Sequence, residues 1–439
     1  MLFAIVFNRW VAVKKAASRA EPGEENMNRS VKWALGLVLA ASVSVGAVGA
    51  YNQEKLVRLW NVNSLFDEDR IVSNFSNMWD MFLSAPIRTG KTAFVFPRQI
   101  QDLTDDYTFA GQAKSRTRWL ERTAATSLLV VRDGQIVAED YYLGTKQQDQ
   151  RISWSMAKSF LSAVFGIAVE RGEISSIDDP VTNYVEELKG TAYDGATIRN
   201  VLHMSSGVKF DENYLDYDSD INRMGRTLAL GGSMDEFAAS LSEKQGKPGE
   251  TRRYTSIDTH VLSMVLRKAT GKSLTELLET NVISKLGFES SAYYLTDGYG
   301  VAFALGGLNI TTRDYAKVGQ LFLDQGNWRG EQIIPRNWAI ESVKNTAPAS
   351  LNQQPFGYGY QWWVPQNARD EFFAVGVYGQ YLYVDRPSRT VIVKTSANRR
   401  FRDDGTGGMA NKHETIEVFR AIVKGISNQQ KTAEAGADG

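Results

Sequence analysis

The segment Ile152–Glu170, ISWSMAKSFLSAVFGIAVE, constrains the fold most, because it is almost wholly apolar yet carries a lysine. Its apolar residues recur at helical spacing, which predicts a buried helix. Ser155 and Lys158 lie three residues apart, near its N-terminus, and share one face. Burial disfavours a charged amine, so the pKa of Lys158 should fall toward neutrality and the amine could accept the Ser155 proton. The pair is predicted to be a nucleophile and its base.

A second S-x-x-K, Ser206-Gly207-Val208-Lys209, provides an internal control, because this spacing also arises by chance. It lies in the glycine-containing turn HMSSGVKF and has no apolar helix around it. Nothing in that turn would remove water from the lysine, so its amine should stay charged. The comparison favours Ser155 as the nucleophile.

Composition excludes several function classes. The 439 residues include 50 basic and 50 acidic ones, so no global field indicates a nucleic-acid or acidic partner. The chain has no cysteine, which excludes disulfides, thiolate metal sites and a cysteine nucleophile. Its three histidines, His203, His260 and His413, lie outside G-x-S-x-G and H-E-x-x-H motifs. No metal centre and no cofactor are therefore expected.

The run Trp33–Tyr51, WALGLVLAASVSVGAVGAY, is uncharged, largely apolar and preceded by basic residues. This pattern is typical of a signal peptide, with Val48-Gly49-Ala50 as the cleavage site, or of a short membrane anchor. The basic flank predicts that the following chain lies in the periplasm or the cell envelope. A buried core helix is the alternative. Met27 is a candidate start, because residues 1–26 read as an extension before a compact signal sequence.

The rest of the chain is predicted to form an N-terminal arm over residues 51–120, a main domain over 121–430 and a disordered tail over 431–439. Ser127–Tyr142 predicts a β-hairpin whose Asp133-Gly134 pair is typical of a type I′ turn. Residues from about 173 to 345 carry helical patterns, and strands return later in the chain. We therefore predict an α/β (α+β) fold, with a sheet completed by distant segments and an inserted helical lobe.

Individual elements follow from the periodicity of the apolar residues. The predicted helices are Thr259–Thr270, Leu274–Leu286, Thr312–Gln325 and Asn411–Ile426. The predicted strands outside the hairpin are Glu371–Val377, Gln380–Val384 and Thr390–Thr395.

Tyr254, in Tyr254-Thr255-Ser256, is the candidate for passing a proton to the leaving atom. It directly precedes an apolar helix, so the phenol could project at a loop–helix junction. A phenol transfers protons near neutrality only when cations lower its pKa, and Lys158 could supply that field. A tyrosine that only packs is the alternative. Tyr217 is a poorer candidate, because the aspartates around it would oppose a phenolate.

An oxyanion site needs backbone N–H groups, one of which should come from a strand that passes the nucleophile. The segment 373–380, FAVGVYGQ, is rich in β-formers but contains Gly376 and Gly379. Glycines allow the backbone to approach a ligand closely. A β-bulge is the structural alternative.

These three segments, in this order, resemble the serine β-lactamases and penicillin-binding proteins, especially their class C-like branch of esterases, peptidases and amidohydrolases. S-x-x-K matches at Ser155, Tyr-x-Asn at Tyr254, and the third motif at Ala374-Val375-Gly376. The resemblance implies a β-lactamase/transpeptidase-like fold, in which helices flank an antiparallel sheet. It also implies that the backbone N–H groups of Ser155 and Val377 hold the oxyanion.

Within that family the chain resembles most the 6-aminohexanoate-oligomer hydrolases and related esterases. ISWSMAKSF, LHMSSGVKFDENYLDYDSDINRM, RRYTSIDTHVL and the G-x-x-G-Q that ends at Gln380 carry this resemblance, over roughly residues 120–425. It implies substrate contacts by Tyr214 on a loop over the site, and by Ser256, Gly376 and Gln380. An ordinary loop aromatic is the alternative for Tyr214.

The sequence departs from the family in two motifs, the one that holds a β-lactam carboxylate and the one that carries the asparagine. Ala374 and Val375 replace the cationic and hydroxyl residues, and Ser256 replaces the asparagine. These changes disfavour a β-lactam substrate. We therefore expect a serine hydrolase that cleaves a small-molecule ester or amide through a Ser155 acyl-enzyme, with contact to the membrane only through the N-terminal segment. The alternatives are a penicillin-recognising D-Ala-D-Ala peptidase or β-lactamase, and a catalytically silent envelope binding protein. No oligomeric state is indicated.

Overall fold

Helices and strands alternate with loops in residues 53–351, 355–366 and 369–437, which the computed structural model describes. The α-helices are α1 Gln53–Asn63, α2 Ile71–Asn74, α3 Arg116–Arg122, α4 Ala157–Glu170, α5 Ile198–Leu202, α6 Asp220–Leu230, α7 Met234–Ala239, α8 Ile257–Thr270, α9 Leu274–Leu278, α10 Ser284–Leu286, α11 Thr312–Leu323, α12 Arg336–Glu341 and α13 Met409–Ala437. Single 3-10 turns lie at Met78–Asp80, Trp154–Met156, Val181–Asn183, Glu186–Leu188 and Val377–Gly379, and a π turn at Glu279–Ile283 joins α9 to α10.

The strands are β1 Ser84–Ile87, β2 Asp106–Phe109, β3 Gln112–Ser115, β4 Ala125–Arg132, β5 Gln135–Tyr141, β6 Arg151–Ile152, β7 Ala292–Leu295, β8 Leu308–Ile310, β9 Asn327–Trp328, β10 Glu331–Gln332, β11 Phe356–Tyr358, β12 Trp363–Pro365, β13 Glu371–Gly376, β14 Gln380–Asp385 and β15 Thr390–Ser396. The chain divides into two units after Leu56, and the elements from α2 onward belong to the second.

The main sheet has seven strands in the order β11-β12-β13-β14-β15-β4-β5, and every neighbouring pair is antiparallel. Strand β15 pairs with β4, with Ile392 opposite Val130, so segments far apart in sequence complete the sheet, as predicted. The β4–β5 hairpin turns at Asp133 and Gly134, which both have positive φ angles of 49° and 73°. Two positive φ angles are the mark of a type I′ turn, which confirms the predicted hairpin.

Helices cover both faces of this sheet. On one face α13 packs its apolar side, including Phe419 and Ile422, against side chains of β4, β14 and β15. On the other face α11 lies close to the sheet at Gly319, where a Cβ atom would be only 2.5 Å from Cγ1 of Val391. Only glycine permits that approach without displacing the strand. Helix α4 lies in the same core, and its residues from Ala157 to Ala168 are all buried.

A second antiparallel sheet, in the order β1-β7-β8-β6, fixes the chain just before α4. Ile152 of β6 pairs with Asn309 of β8, and the next backbone N–H, at Ser153, donates to the Leu308 carbonyl at 2.8 Å. The buried Arg151 donates through Nη1 to the Val72 carbonyl at 2.6 Å. These bonds hold the entry to α4, where the predicted nucleophile lies.

The antiparallel sheet with flanking helices confirms the predicted fold class. The predicted helices and strands are present, and three of the helices differ in extent. The helix predicted from Ile152 begins at Ala157, the predicted helix Leu274–Leu286 is interrupted by the π turn, and the closing helix extends to Ala437. The predicted arm contributes β1, β2 and β3. The boundaries of the arm, of the helical lobe at about 173–345 and of the tail stay predictions.

The apolar run Trp33–Tyr51 lies outside the described residues. Within the residues that are described, no helix combines the length and the apolar character needed to cross a membrane.

Candidate active site

Ser155 lies in the 3-10 turn Trp154–Met156, immediately before α4. Trp154 has a φ of 43°, a left-handed conformation that is costly for a residue with a side chain. The rings of Phe66, Phe75 and Tyr378 surround the indole at centroid distances of 6.2, 5.6 and 5.8 Å. This aromatic packing holds the strained turn, which projects Ser155 into the cavity described below.

Lys158 is one helical turn further on, and its Nζ lies 3.0 Å from the Ser155 Oγ. The residue is only 1 % exposed, and its amine also donates to the Leu305 carbonyl at 2.9 Å. Burial lowers the pKa of Lys158 from 10.5 to about 7, and the nearby acids Glu212 and Asp258 offset part of that shift. The predicted proximity and the predicted fall in pKa are both confirmed.

Tyr254 lies beside this pair, just before α8. Tyr254 and Ser155 line the same cavity, and the Lys158 Nζ lies 5.4 Å from the Tyr254 ring centroid. Burial and the negative charge of Glu212 nevertheless raise the pKa of the phenol above its usual value. The expectation that Lys158 lowers this pKa is wrong, because burial and Glu212 raise it and the lysine is not among the groups that lower it. Tyr254 therefore stays protonated at neutral pH. It can donate a proton, but it is not available as a general base.

Sequence reasoning missed Glu212, an acid whose charge acts on both Lys158 and Tyr254. Its Oε1 accepts a hydrogen bond from the Ser256 backbone N–H, and its Oε2 accepts one from the Tyr214 hydroxyl at 3.1 Å. Burial raises the pKa of the carboxyl group, and the Lys158 amine opposes that rise. The available signal was its place two residues before Tyr214, in a segment already expected to lie over the site.

The end of β13 lies directly against the nucleophile turn. A Cβ atom on Gly376 would be 2.4 Å from the Ser153 carbonyl oxygen and 3.0 Å from Cβ of Trp154, so only glycine allows this approach. Gly376 and the next residue, Val377, both line the same cavity as Ser155. Ser155 and Val377 thus border one space, and an oxyanion site built from their backbone N–H groups requires that they do.

The structure separates the four residues predicted to contact substrate into two groups. Tyr214 and Gly376 line the cavity. Ser256 is fully buried, and its hydroxyl has no hydrogen-bond partner. Gln380 is 1 % exposed, and its amide bonds the Ser396 backbone in both directions, at 2.7 and 3.0 Å. Neither Ser256 nor Gln380 is among the residues that line the cavity. Gln380 instead supports the Val377 turn, because it also donates to the Val377 carbonyl at 3.3 Å.

The residues rejected on sequence grounds lie elsewhere. Lys209 of the second S-x-x-K is exposed and pairs with Glu243 at 2.6 Å, whereas Ser206 donates to Asp258 at 2.8 Å. That serine and lysine therefore bond different partners. Tyr217 is 68 % exposed, and the Arg226 guanidinium lies 3.8 Å from its ring centroid.

A cavity of about 420 Å³ joins the predicted nucleophile, the phenol and the oxyanion turn. Its volume is sufficient for a small organic substrate. Its wall includes Ser155, Tyr214, Tyr254, Trp363, Val375 and Val377. A serine beside a neutral amine, a protonated phenol and two backbone N–H groups can perform acyl transfer.

Comparison with known proteins agrees with this geometry. The Beta-lactamase family profile matches residues 116–412, which is more than half of the chain. The chain is 31 % identical over 292 residues to 6-aminohexanoate-dimer hydrolase of Paenarthrobacter ureafaciens, a match that covers 63 % of this chain and 74 % of that protein.

Two solved structures are similar in fold. A Bacillus anthracis protein, provisionally named a 6-aminohexanoate-dimer hydrolase, superposes with a TM-score of 0.74 and 26 % identity, covering 83 % of this chain and 96 % of its own. A D-stereospecific amidohydrolase from a Streptomyces species superposes with a TM-score of 0.53 and 17 % identity, covering 70 % and 98 %. The chain belongs to the β-lactamase family and is a serine hydrolase of that fold.

Proposed function

We propose that the chain hydrolyses small carboxylic esters or amides through an acyl-enzyme on Ser155. The observation that carries this proposal is the 3.0 Å approach of the Lys158 amine to the Ser155 hydroxyl, at a lysine whose pKa is about 7. At neutral pH a large fraction of this amine is unprotonated and can accept the serine proton.

In acylation, Lys158 takes the Ser155 proton while the Oγ forms a bond to the substrate carbonyl carbon. The N–H groups of Ser155 and Val377 stabilise the resulting oxyanion. When the tetrahedral intermediate collapses, the bond to the leaving nitrogen or oxygen breaks. Tyr254 gives its proton to that atom and regains one from the Lys158 ammonium, which restores the neutral amine.

In deacylation, water takes the place of the leaving group. Lys158 removes a proton from the water, whose oxygen attacks the acyl carbonyl carbon. The ester bond to Ser155 then breaks, and the serine oxygen recovers the proton from Lys158. The products are the free carboxylic acid and the regenerated hydroxyl. No cofactor takes part in either half of this scheme.

The decisive test is Ser155→Ala, assayed on p-nitrophenyl acetate. Removing the nucleophile in a serine hydrolase costs about 10⁶-fold in kcat. We expect a loss of that order, together with loss of covalent labelling by a fluorophosphonate. Ser206→Ala is the matched control, because Ser206 belongs to the S-x-x-K that the structure keeps apart from the cavity, and it should retain labelling. Unchanged turnover by Ser155→Ala would refute the proposal, and failure of the native protein to label would favour a silent binding protein.

A β-lactam substrate has less support. Ala374 is buried and Val375 lines the cavity at the third motif, so this strand offers a β-lactam carboxylate no cation. A fluorescent penicillin should therefore fail to acylate Ser155. Rapid acylation that disappears in Ser155→Ala would restore the penicillin-recognising alternative.

We also propose that the hydrolase domain is exported to the periplasm or the cell envelope. The support is the uncharged apolar run Trp33–Tyr51 with its basic flank. Alkaline phosphatase fused after residue 60 should be active, because that enzyme needs an oxidising compartment. Sequencing of the mature N-terminus would separate cleavage after Ala50 from retention as an anchor. An inactive fusion would contradict export.

A further inference from the structure

Two residues of the active site hold their backbone in the left-handed region although each carries a large aromatic side chain. Trp154 immediately precedes Ser155 and has a φ of 43°. Tyr378 immediately follows Val377 and has a φ of 62°. Side chains make this conformation unfavourable, so it persists only where the surrounding structure holds it. Each strained residue thus adjoins one of the two residues whose N–H groups form the proposed oxyanion site.

The two strained residues pack against each other through their side chains. The Trp154 and Tyr378 rings lie 5.8 Å apart between centroids. This ring contact links the turn that carries Ser155 to the turn that carries Val377. Any change in the contact therefore changes the separation of the two turns, and with it the fit of the two N–H groups to one oxygen atom.

Phe66 covers both rings from a segment that is far away in the sequence. Its ring stacks on the Tyr378 ring at a centroid distance of 4.8 Å and an interplanar angle of 17°, and it lies 6.2 Å from the Trp154 indole. Aromatic pairs at such distances attract one another beyond the effect of the area that they bury. Phe75 also contacts both rings, but it is fully buried and belongs to the core of the fold. Phe66 is only half-buried, so its main contacts are with the two turns of the site.

The segment that carries Phe66 is bonded to the chain that leads to the nucleophile. Asn74 donates through Nδ2 to the Leu65 carbonyl at 3.0 Å, which holds the turn around Phe66. The N–H of Ile152, in β6 just before the nucleophile turn, donates to the Phe75 carbonyl at 3.1 Å. The position of the Phe66 ring is therefore fixed relative to the strand that enters the active site.

We propose that Phe66 is a positioning residue of the oxyanion site. Its contacts with the two strained rings keep the Val377 turn and the Ser155 turn at the separation at which both N–H groups face one oxygen. Phe66 is not among the residues that line the cavity, so its effect on the reaction passes through these two turns. The inference rests on the proposed function, since it presupposes that an oxyanion forms beside Ser155.

The test uses two esters that differ in the atom that enters the oxyanion site. p-Nitrophenyl acetate places oxygen there, and p-nitrophenyl thionoacetate places sulfur, which is a weak hydrogen-bond acceptor. An intact oxyanion site therefore favours the oxygen ester, and a distorted one loses that preference. In Phe66→Ala we expect kcat for the oxygen ester to fall about 10²-fold, the cost of a misplacement of about 1 Å, with KM close to its native value. The ratio of the two kcat/KM values, each divided by the rate at which hydroxide hydrolyses that ester, should fall toward one.

Phe94→Ala is the matched control, because Phe94 is also a half-buried phenylalanine of the chain before α3. It packs on Trp328 at a centroid distance of 5.2 Å and is not among the residues that line the cavity, so this variant should retain the native kcat and the native ratio. Phe66→Tyr keeps the stacked ring and should restore both values. Phe66→Leu keeps apolar volume without a flat ring and should lower both. It supplies the same comparison if Phe66→Ala does not fold, which the melting temperature and fluorophosphonate labelling report.

The outcomes separate this inference from the proposed function. A native kcat and a native ratio in both Phe66→Ala and Phe66→Leu would refute it. A rise in KM alone, or an equal loss in Phe94→Ala, would also refute it, because neither result involves the oxyanion. A native protein without preference for the oxygen ester would refute it while hydrolysis at Ser155 stands. If neither ester is cleaved and the fluorophosphonate does not label Ser155, the proposed function itself fails.

Discussion

Glu212, which lines the cavity, interacts electrostatically with Lys158, and each shifts the pKa of the other in the direction that favours its charged form. The carboxylate raises the pKa of Lys158 against the larger effect of burial, and the ammonium lowers the pKa of Glu212 in the same way. The charge at residue 212 therefore contributes to the pH at which the amine becomes a base.

The first prediction concerns the pH dependence of the native protein. Only the neutral amine can accept the Ser155 proton, and its pKa lies at about 7. We therefore expect kcat/KM for p-nitrophenyl acetate to rise with pH below about 7 and to level off above it, since the neutral fraction approaches one. A stopped-flow or steady-state profile checks this. A rate that is constant from about pH 5.5 to 8.5 would contradict it.

The second prediction distinguishes Lys158 from two other lysines as the group that titrates. Burial also lowers the pKa of Lys394 and of Lys412 to about 7, so the native pH profile alone does not identify the base. Glu212→Gln removes the negative charge that favours the Lys158 ammonium, so the acid limb of the profile should move to lower pH. Glutamine keeps an oxygen for the Ser256 N–H. Asp211→Asn, at the exposed neighbouring residue, should leave the limb in place. A shift to higher pH in Glu212→Gln would exclude Lys158 as the group responsible.

Tyr254→Phe should affect amides more than activated esters. The pKa of the phenol is raised, so its role is to donate a proton to the leaving atom. An amine cannot leave unprotonated, and loss of a general acid costs about 10²- to 10⁴-fold. A p-nitrophenolate leaves without a proton and should be released with a much smaller loss. Parallel assays on a p-nitroanilide and a p-nitrophenyl ester measure the difference. Equal losses on both substrates would contradict the assignment of Tyr254 as the acid.

The parts of this site that could be predicted are those encoded locally. Ser155 and Lys158 are neighbours because three residues separate them on one apolar helix, and both facts are visible in the sequence. The glycine at 376 interrupts an otherwise β-rich segment and so predicts a close approach of the backbone to a ligand; the structure shows a close approach there, but to the nucleophile turn.

The parts that could not be predicted depend on contacts between distant segments. The pKa of Tyr254 depends on how much solvent the fold removes from the phenol. The spacing of residues along the sequence does not give the extent of that burial. Lys412 lies near the start of the C-terminal helix and contacts the Trp363 ring. The sequence pattern predicted this helix but not the contact. Gln380 and Ser256 were expected to contact substrate, and their burial depends on how β14 and α8 pack.

Lys158→Met should stabilise the protein while abolishing its activity. The folded pKa of about 7 lies below the unfolded value of 10.5, so the unfolded chain binds more protons between these limits. The shift corresponds to a destabilisation of at most about 5 kcal/mol, present in full below pH 7 and lost as the pH rises toward 10.5. The melting temperature of the variant should exceed that of the native protein by several degrees at pH 7, and by less at pH 10. Lys424→Met, at an exposed residue, should show no such gain. A variant that melts below the native protein at pH 7 would contradict the cost assigned to the buried amine.

Gly376→Ala tests whether β13 must lie against the nucleophile turn. The new methyl group would be 2.4 Å from the Ser153 carbonyl oxygen, so the strand and the turn must separate. That movement takes the Val377 N–H away from the oxyanion, and removal of one oxyanion donor costs about 10²- to 10³-fold in kcat. We expect a fall in kcat of that size in a variant that still folds. Gly225→Ala is the matched control, because a Cβ there meets no atom within 4 Å and the residue lies in α6, where alanine is favoured. Full activity in Gly376→Ala would mean that the second oxyanion donor comes from elsewhere in the cavity wall.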